Sequence, residues 1–244
     1  MNLHEIILIG FVAGTIGTGM GAILSFTISK PSDKVLGAML GLSAGIMLSI
    51  IFMELLAESI VSSFNYTVLG LLMGITAFVF LDSHFPHKHF VTEEVRQGRY
   101  LKKGILIATG IGLHNLSEGV AIGAGFAAST SMGITLAILI ALHNIPEGLA
   151  VAIPLNIGGL SRFRSLGITL LAGLPMGVGA LFGAIVGSIS VSFLSLSLGF
   201  AAGAMLYIVC DELIPDVYQI TNAHIAIWGI TGGILLGMTL VYFL

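Results

Sequence analysis

Eight stretches of this chain, about residues 5–28, 35–60, 66–82, 103–127, 131–155, 166–189, 193–217 and 224–244, are apolar runs between polar or Gly/Pro-rich breaks. A helix needs roughly 20 such residues to cross the hydrocarbon of a bilayer. The runs predict an all-α polytopic membrane protein with eight transmembrane helices. The longest connection, about 83–102, is only a loop, so residues 1–244 are expected to form one transmembrane domain. Composition agrees. Charged residues make up 9% of the chain, against about a quarter in soluble domains, and the mean hydropathy is +1.07. The 33 glycines suit helices whose backbones approach closely within a membrane.

Charge placement orients the helices. The basic residues are Lys30, Lys34, Lys88, Arg96, Arg99, Lys102, Lys103, Arg162 and Arg164, all in or beside the loops joining spans 1–2, 3–4 and 5–6. The positive-inside rule puts those loops in the cytoplasm and both termini outside, in the plasma (inner) membrane. The first apolar segment follows no Lys or Arg and is too long for a signal-peptide core, so it is expected to be a mature helix. No basic stripe exists to suit a nucleic acid. Cys210 is the only cysteine, which excludes an intramolecular disulfide.

The sequence also repeats. Gly45, Met47, Leu48, Glu54 and Leu55 in span 2 match Gly203, Met205, Leu206, Glu212 and Leu213 in span 7 at a constant offset of 158 residues, and Glu58 meets Asp216 at the same offset. An odd number of crossings separates these spans, so they run in opposite directions. The pattern predicts an inverted repeat of spans 1–3 and 6–8 around a central pair, a 3+2+3 arrangement. Transporters often place their substrate site at such an interface, near the midplane.

The central pair carries the unusual residues. His114-Asn115-Leu116-Ser117-Glu118-Gly119 in span 4 is nearly repeated as His143-Asn144-Ile145-Pro146-Glu147-Gly148 in span 5. Ionisable groups at membrane depth are expensive and normally functional. His and Glu four positions apart share one helix face, and a rise of about 1.5 Å per residue puts both motifs near the middle of the core. Beyond Lys103 at the start of span 4, neither span contains a Lys or Arg to neutralise its glutamate. Two carboxylates and two imidazoles without a basic partner call for an external cation, and His nitrogen with carboxylate oxygen suits Zn²⁺ and neighbouring divalent ions. With no thiolate the site should hold metal less tightly than a structural zinc site. Asn115 and Asn144 add neutral oxygens or orient the imidazoles. A bland alternative is that the pairs merely hold helices together, but two near-identical hexapeptides at matched depth argue against it.

On these motifs, and over essentially its whole length, the chain resembles the ZIP (Zrt/Irt-like protein) family of divalent-metal transporters, most of all its compact bacterial, GufA-like members. The resemblance implies uptake of Zn²⁺, with Fe²⁺, Mn²⁺, Co²⁺ and Cd²⁺ as further candidates, by alternating access within a homodimer. The metal is then substrate, with no catalytic cofactor, and the chain is not an enzyme. The resemblance further implies a two-metal centre. His114, Glu118, His143 and Glu147 would form one site, and Asn115, Asn144 and the same glutamates the second. Some members add a span-6 glutamate before a proline. Here Leu174 precedes Pro175 and span 6 has no carboxylate, so the second site should be weakened or missing.

Other acids lie toward the ends of the path. Orientation puts Glu54 and Glu58 near the outer mouth and Asp211, Glu212 and Asp216 near the inner one, where carboxylates attract cations. Glu58 and Asp216 equally fit helix ends in the headgroup region. The loop from Asp82 to His89 places His84, His87 and His89 within six residues, a tract that binds metal weakly or simply forms a solvated linker. An intramembrane metal-dependent hydrolase is the main rival, since zinc held by His and Glu also activates water. Against it, the His-Glu-x-x-His and Gly-x-Ser-x-Gly motifs are absent.

Overall fold

Lipid offers the backbone no hydrogen bonds, so a spanning segment must satisfy its own. In the computed structural model, which describes residues 1–27, 32–84 and 97–243, the elements are all helical and no strand forms among the described residues. In chain order they are α1 (Leu3–Leu24), α2 (Asp33–Ser49), a first π-helical segment (Ile50–Leu55), α3 (Leu56–His84), α4 (Gln97–Ala128), α5 (Thr130–Ile157), α6 (Arg162–Gly173) and α7 (Pro175–Gly187). There follow α8 (Val191–Ile208), a second π-helical segment (Val209–Leu213), α9 (Ile214–Ile220) and α10 (Ala223–Phe243). Polar side chains start several of them: Asn2 and Glu5 form a reciprocal capping box, and Ser129, Ser161 and Ser190 accept the orphan N–H groups of α5, α6 and α8.

Among the described residues, seven helical runs are long and apolar enough to cross a membrane. One of them, Asp33–Leu81, has 49 residues, about 74 Å at 1.5 Å per residue, more than twice the hydrocarbon thickness. Ser63 interrupts it with extended backbone (φ −167°, ψ 107°). Along this run the neighbours change: α2 lies against α10 and α5, and α3 against α8. A second interruption falls at Leu174, because Pro175 brings no N–H to continue the ladder from α6 into α7.

Side-chain sizes are sorted as lipid solvation demands. Val61, Phe163, Trp228 and Tyr242 project outward, whereas α10 buries only Ala226, Gly229, Gly233 and Gly237. Glycine is required at the crossings. A methyl group on Gly41 or Gly45 would strike α10 at Gly229 or Ile230, and one on Gly199 or Gly203 would strike α3 at Thr67 or Leu71. The second pair lies 158 residues beyond the first. The partners reciprocate, since Gly229 and Gly233 rest on the carbonyls of Ala38 and Leu42, and Gly70 and Gly74 on those of Leu196 and Phe200.

The same rule governs the helices around the centre. Gly21 rests on the Ile145 carbonyl and Gly179 on that of Leu116; Gly148 rests on Thr18 and Gly119 on Met176. The mates α1 and α6–α7 cross antiparallel, with Gly14 on Gly173 and Gly10 on Gly177 and Ala180. The 158-residue offset of the matches in spans 2 and 7 thus recurs in the register of these contacts. Both π-segments obey it too: 158 residues after Ile50–Leu55 lies 208–213, and Val209–Leu213 is π-helical.

Candidate metal centre

Helices α4 and α5 are joined through the capping residue Ser129 and pack together near Gly125, Phe126, Gly133 and Leu136. Close approach there, and at Gly119 and Gly148 against the outer helices, leaves both motifs enclosed. His114 is 4% exposed, Glu147 2%, and Asn115, Glu118, His143 and Asn144 are fully buried. Ser43 of α2 donates a hydrogen bond to the His143 carbonyl at 3.0 Å, a contact that sequence alone gave no means of finding.

The four ionisable side chains converge. Glu118 Oε1 lies 3.0 Å from His114 Nε2 and 2.5 Å from His143 Nε2, and Glu147 Oε1 lies 3.5 Å from His114 Nε2. One ligand atom from each of the four falls within 4.8 Å of all the others. Ligands about 2 Å from a zinc ion sit within about 4 Å of one another, so a small contraction closes the set around one ion. Several buried atoms here have no hydrogen-bond partner: Glu118 Oε2, His143 Nδ1, Asn144 Oδ1 and both oxygens of Glu147. An unsatisfied buried polar atom costs about 1–3 kcal/mol, more when charged. A cation between the carboxylates relieves that cost, and beyond Lys103 at the start of span 4, eleven residues before His114, no Lys or Arg occurs in either span to do so instead.

Asn115 and Asn144 are hydrogen-bonded to each other, Nδ2 of Asn144 donating to Oδ1 of Asn115 at 2.9 Å, and Asn115 Nδ2 donates to the Ala172 carbonyl at 2.9 Å. Leu174 lies just beyond, 40% exposed, at the α6–α7 junction. Of the outlying acids, Glu212 shares a cavity with His114, lined also by Phe78, Leu113, Tyr207 and Ile208. Phe78 and Tyr207 carry no signal in an apolar run that would mark them as cavity walls. Glu54 is half-buried on the first π-segment, Glu58 and Asp211 are exposed, and Asp216 is half-buried. His87 and His89 lie outside the described residues, as does the side chain of His84.

The cavity occupies one half of the repeat. At offsets of 158 and, within the central pair, 29 residues, the mates of its lining include Ser49, Ile50, Glu54, Leu139, Leu142, His143 and Leu236. Ser49, Ile50, Leu139 and His143 are all buried, Ser49 Oγ donates to the Ile234 carbonyl at 3.0 Å, and a methyl on Gly237 would strike Ser49.

Residues 82–244 match the family described as ZIP Zinc transporter. Over 252 residues the chain is 33% identical to the "Zinc transporter ZupT" of Chlorobaculum parvum, covering 94% of each protein. It is 30% identical to a ZupT of Stenotrophomonas maltophilia, covering 95% of this chain and 93% of that one. Against the "Zinc transporter GufA" of Myxococcus xanthus, identity is 33% over 94% of both.

Proposed function

The chain belongs to the ZIP family of zinc transporters, in its GufA-like branch, and from that premise we propose that it carries Zn²⁺ into the cytoplasm through the centre between α4 and α5. The family is one of transporters rather than enzymes, and with several long apolar helices the chain is a multi-pass membrane protein. The hydrolase alternative is not favoured. His114, Glu118, His143 and Glu147 hold the ion, and the asparagines of the two motifs complete the centre. Fe²⁺, Mn²⁺, Co²⁺ and Cd²⁺ share the ligand preferences that would admit them.

The observation that carries this reading is the convergence of four ligand atoms within 4.8 Å, buried, with no Lys or Arg in either span beyond Lys103 at the start of span 4. An immobile structural cluster would gain more from hydrogen-bonded partners than from oxygens left without any.

In this reading residues 1–244 form one transport domain of eight crossings in the inner membrane, the break at Ser63 dividing Asp33–Leu81 into two. Both termini face outward and the basic loops face the cytoplasm. Glu212 then lies on the inner side of the centre, so the cavity from His114 is an exit, and the buried mates Ser49 and Ile50 lie on the outer side. Entry past Glu54 requires that half to open while the inner half closes, which a pair of inverted repeats permits by exchanging conformations. Glu58 and Asp211 extend the path at either mouth, and the tract of His84, His87 and His89 captures metal at the cytoplasmic face. The protein works as a homodimer.

The test is ⁶⁵Zn uptake into proteoliposomes. Wild type should accumulate zinc, and His143→Ala and Glu147→Ala should reduce the rate at least a hundredfold. Unaltered uptake in both variants would remove the site; no uptake of any divalent ion by wild type would remove the function.

A further inference from the structure

Each half of the repeat contains a short helical segment with a joint at both ends. After the first π-segment, residues 56–62 run as a helix to the extended Ser63 (φ −167°, ψ 107°). After the second, Ile214–Ile220 runs as a helix to the extended Thr221 (φ −134°, ψ 174°). Both ends correspond at the 158-residue offset. On one side of each segment the ladder is widened, the Leu56 N–H reaching back to the Ile51 carbonyl and the Ile214 N–H to that of Val209. On the other side the extended residue interrupts it. Helices bend at such points and stay straight between them. The first segment carries Glu58 and the second Asp216.

The two segments are held by different chemistry. In the first, Ser59 and Thr67 are buried. Ser59 Oγ donates to the Ser195 carbonyl of α8 at 2.8 Å, Thr67 Oγ1 donates to the Ser63 carbonyl at 2.8 Å, and the two hydroxyls lie 2.7 Å apart. Two side chains thus tie the segment, its break and the continuation of α3 to α8. In the second half, the mates of Ser59, Thr67 and Ser195 are Val217, Ile225 and Gly37. None has a hydroxyl. Val217 packs instead with Leu40, Ala150 and Ala226. Thr221 lies against Gly37, and its own Oγ1 has no hydrogen-bond partner. Apolar contact is non-directional, whereas a hydrogen bond fixes one geometry.

Resting on the assignment of Glu54 and Glu58 to the outer mouth, we infer that residues 56–62 are a hinged gate over that mouth, latched shut by Ser59 and Thr67. Ser59 is a positioning residue: it acts by placing the segment that carries Glu58 and adjoins the π-turn of Glu54. The latch is made while Ser49 and Ile50 are buried, although their mates Tyr207 and Ile208 line the inner cavity. Opening the outer route breaks buried hydrogen bonds that the inner segment does not have. The transporter therefore rests with its inner side open.

Thiol labelling in intact cells tests this. On a Cys210→Ser background, Ser49→Cys places a near-isosteric thiol where reagent arrives only when the outer route opens. Ser59→Ala and Thr67→Val should each speed its labelling by a membrane-impermeant maleimide about three- to thirtyfold, the worth of a hydrogen bond between membrane helices. Thr67→Ser, which keeps the hydroxyl, should label as slowly as the parent. Hydrogen exchange of the full chain in detergent needs no added cysteine: in Ser59→Ala, amides 56–62 should exchange faster by a similar factor, and those of Ile214–Ile220 at the parent rate. Unchanged labelling in Ser59→Ala and Thr67→Val, fast labelling in Thr67→Ser, or equal acceleration of exchange in both segments would overturn the inference. Should Ser49→Cys not fold, the exchange pattern decides. Labelling of Ser49→Cys that appears only after the membrane is opened would instead remove the outward assignment of this mouth.

Discussion

Glu118 faces both imidazoles with one oxygen and has the other free, so it is the side chain whose charge the centre most needs. Glu118→Gln keeps the shape and halves the negative charge. Zinc affinity measured by calorimetry should fall by more than a hundredfold, beyond the 10–100-fold range for losing an outer partner. The donor set also fixes what competes. Two imidazoles favour Zn²⁺, Co²⁺ and Cd²⁺ over hard, oxygen-seeking ions. Co²⁺ and Cd²⁺ should displace zinc in competition titrations, and Mg²⁺ at a thousandfold excess should not. At this scale the paired motifs made the four ionisable residues readable, because helical spacing and matched depth bring them together without further information. The hydrogen bonding of the asparagines was not readable, because it depends on the Ala172 carbonyl of α6, a helix that sequence order does not tie to either motif.

Among the elements, the glycine crossings carry the architecture, and they differ sharply in tolerance. A methyl on Gly148 would strike the Thr18 carbonyl and one on Gly45 that of Ile230, whereas Gly167 and Gly232 have nothing within 4 Å. Gly148→Ala and Gly45→Ala should each destabilise by about 1–3 kcal/mol, the usual cost of overpacking. Gly167→Ala should be neutral or stabilising by about 0.4–1 kcal/mol, through reduced freedom of the unfolded chain. Thermal unfolding in detergent separates the two groups. The all-helical, apolar character followed from hydropathy because lipid solvation decides it, whereas two of the eight expected spans fall within one helical run of 49 residues, Asp33–Leu81. The π-segments did not, since an apolar run such as Ile50–Leu55 reads identically in α- and π-helical form. Both carry an acid, Glu54 and Glu212, and single-turn π insertions are frequent at functional sites.

For the whole molecule, the inverted repeat and the basic loops make one statement about orientation that labelling can check. On a Cys210→Ser background, Ser188→Cys lies in the loop between α7 and α8 and Ser161→Cys in the loop between α5 and α6. A membrane-impermeant maleimide added to intact cells should label the first and spare the second until the membrane is opened. The reverse pattern would turn the exit cavity beside Glu212 into an entrance and the uptake reading into export. The 158-residue offset was visible only as a handful of matches between spans 2 and 7. Its extension to α1 and α6–α7 emerged from contact register, because those helices share small residues rather than a motif.

Whether the ion sits where the negative charge is buried can be read directly from crystals grown with zinc and measured at the zinc absorption edge. A single anomalous peak about 2 Å from His114 Nε2, His143 Nε2 and one oxygen each of Glu118 and Glu147 is the expected result. A zinc-loaded, transport-competent protein whose anomalous peaks all lie elsewhere, with these four side chains closed on one another, would contradict it.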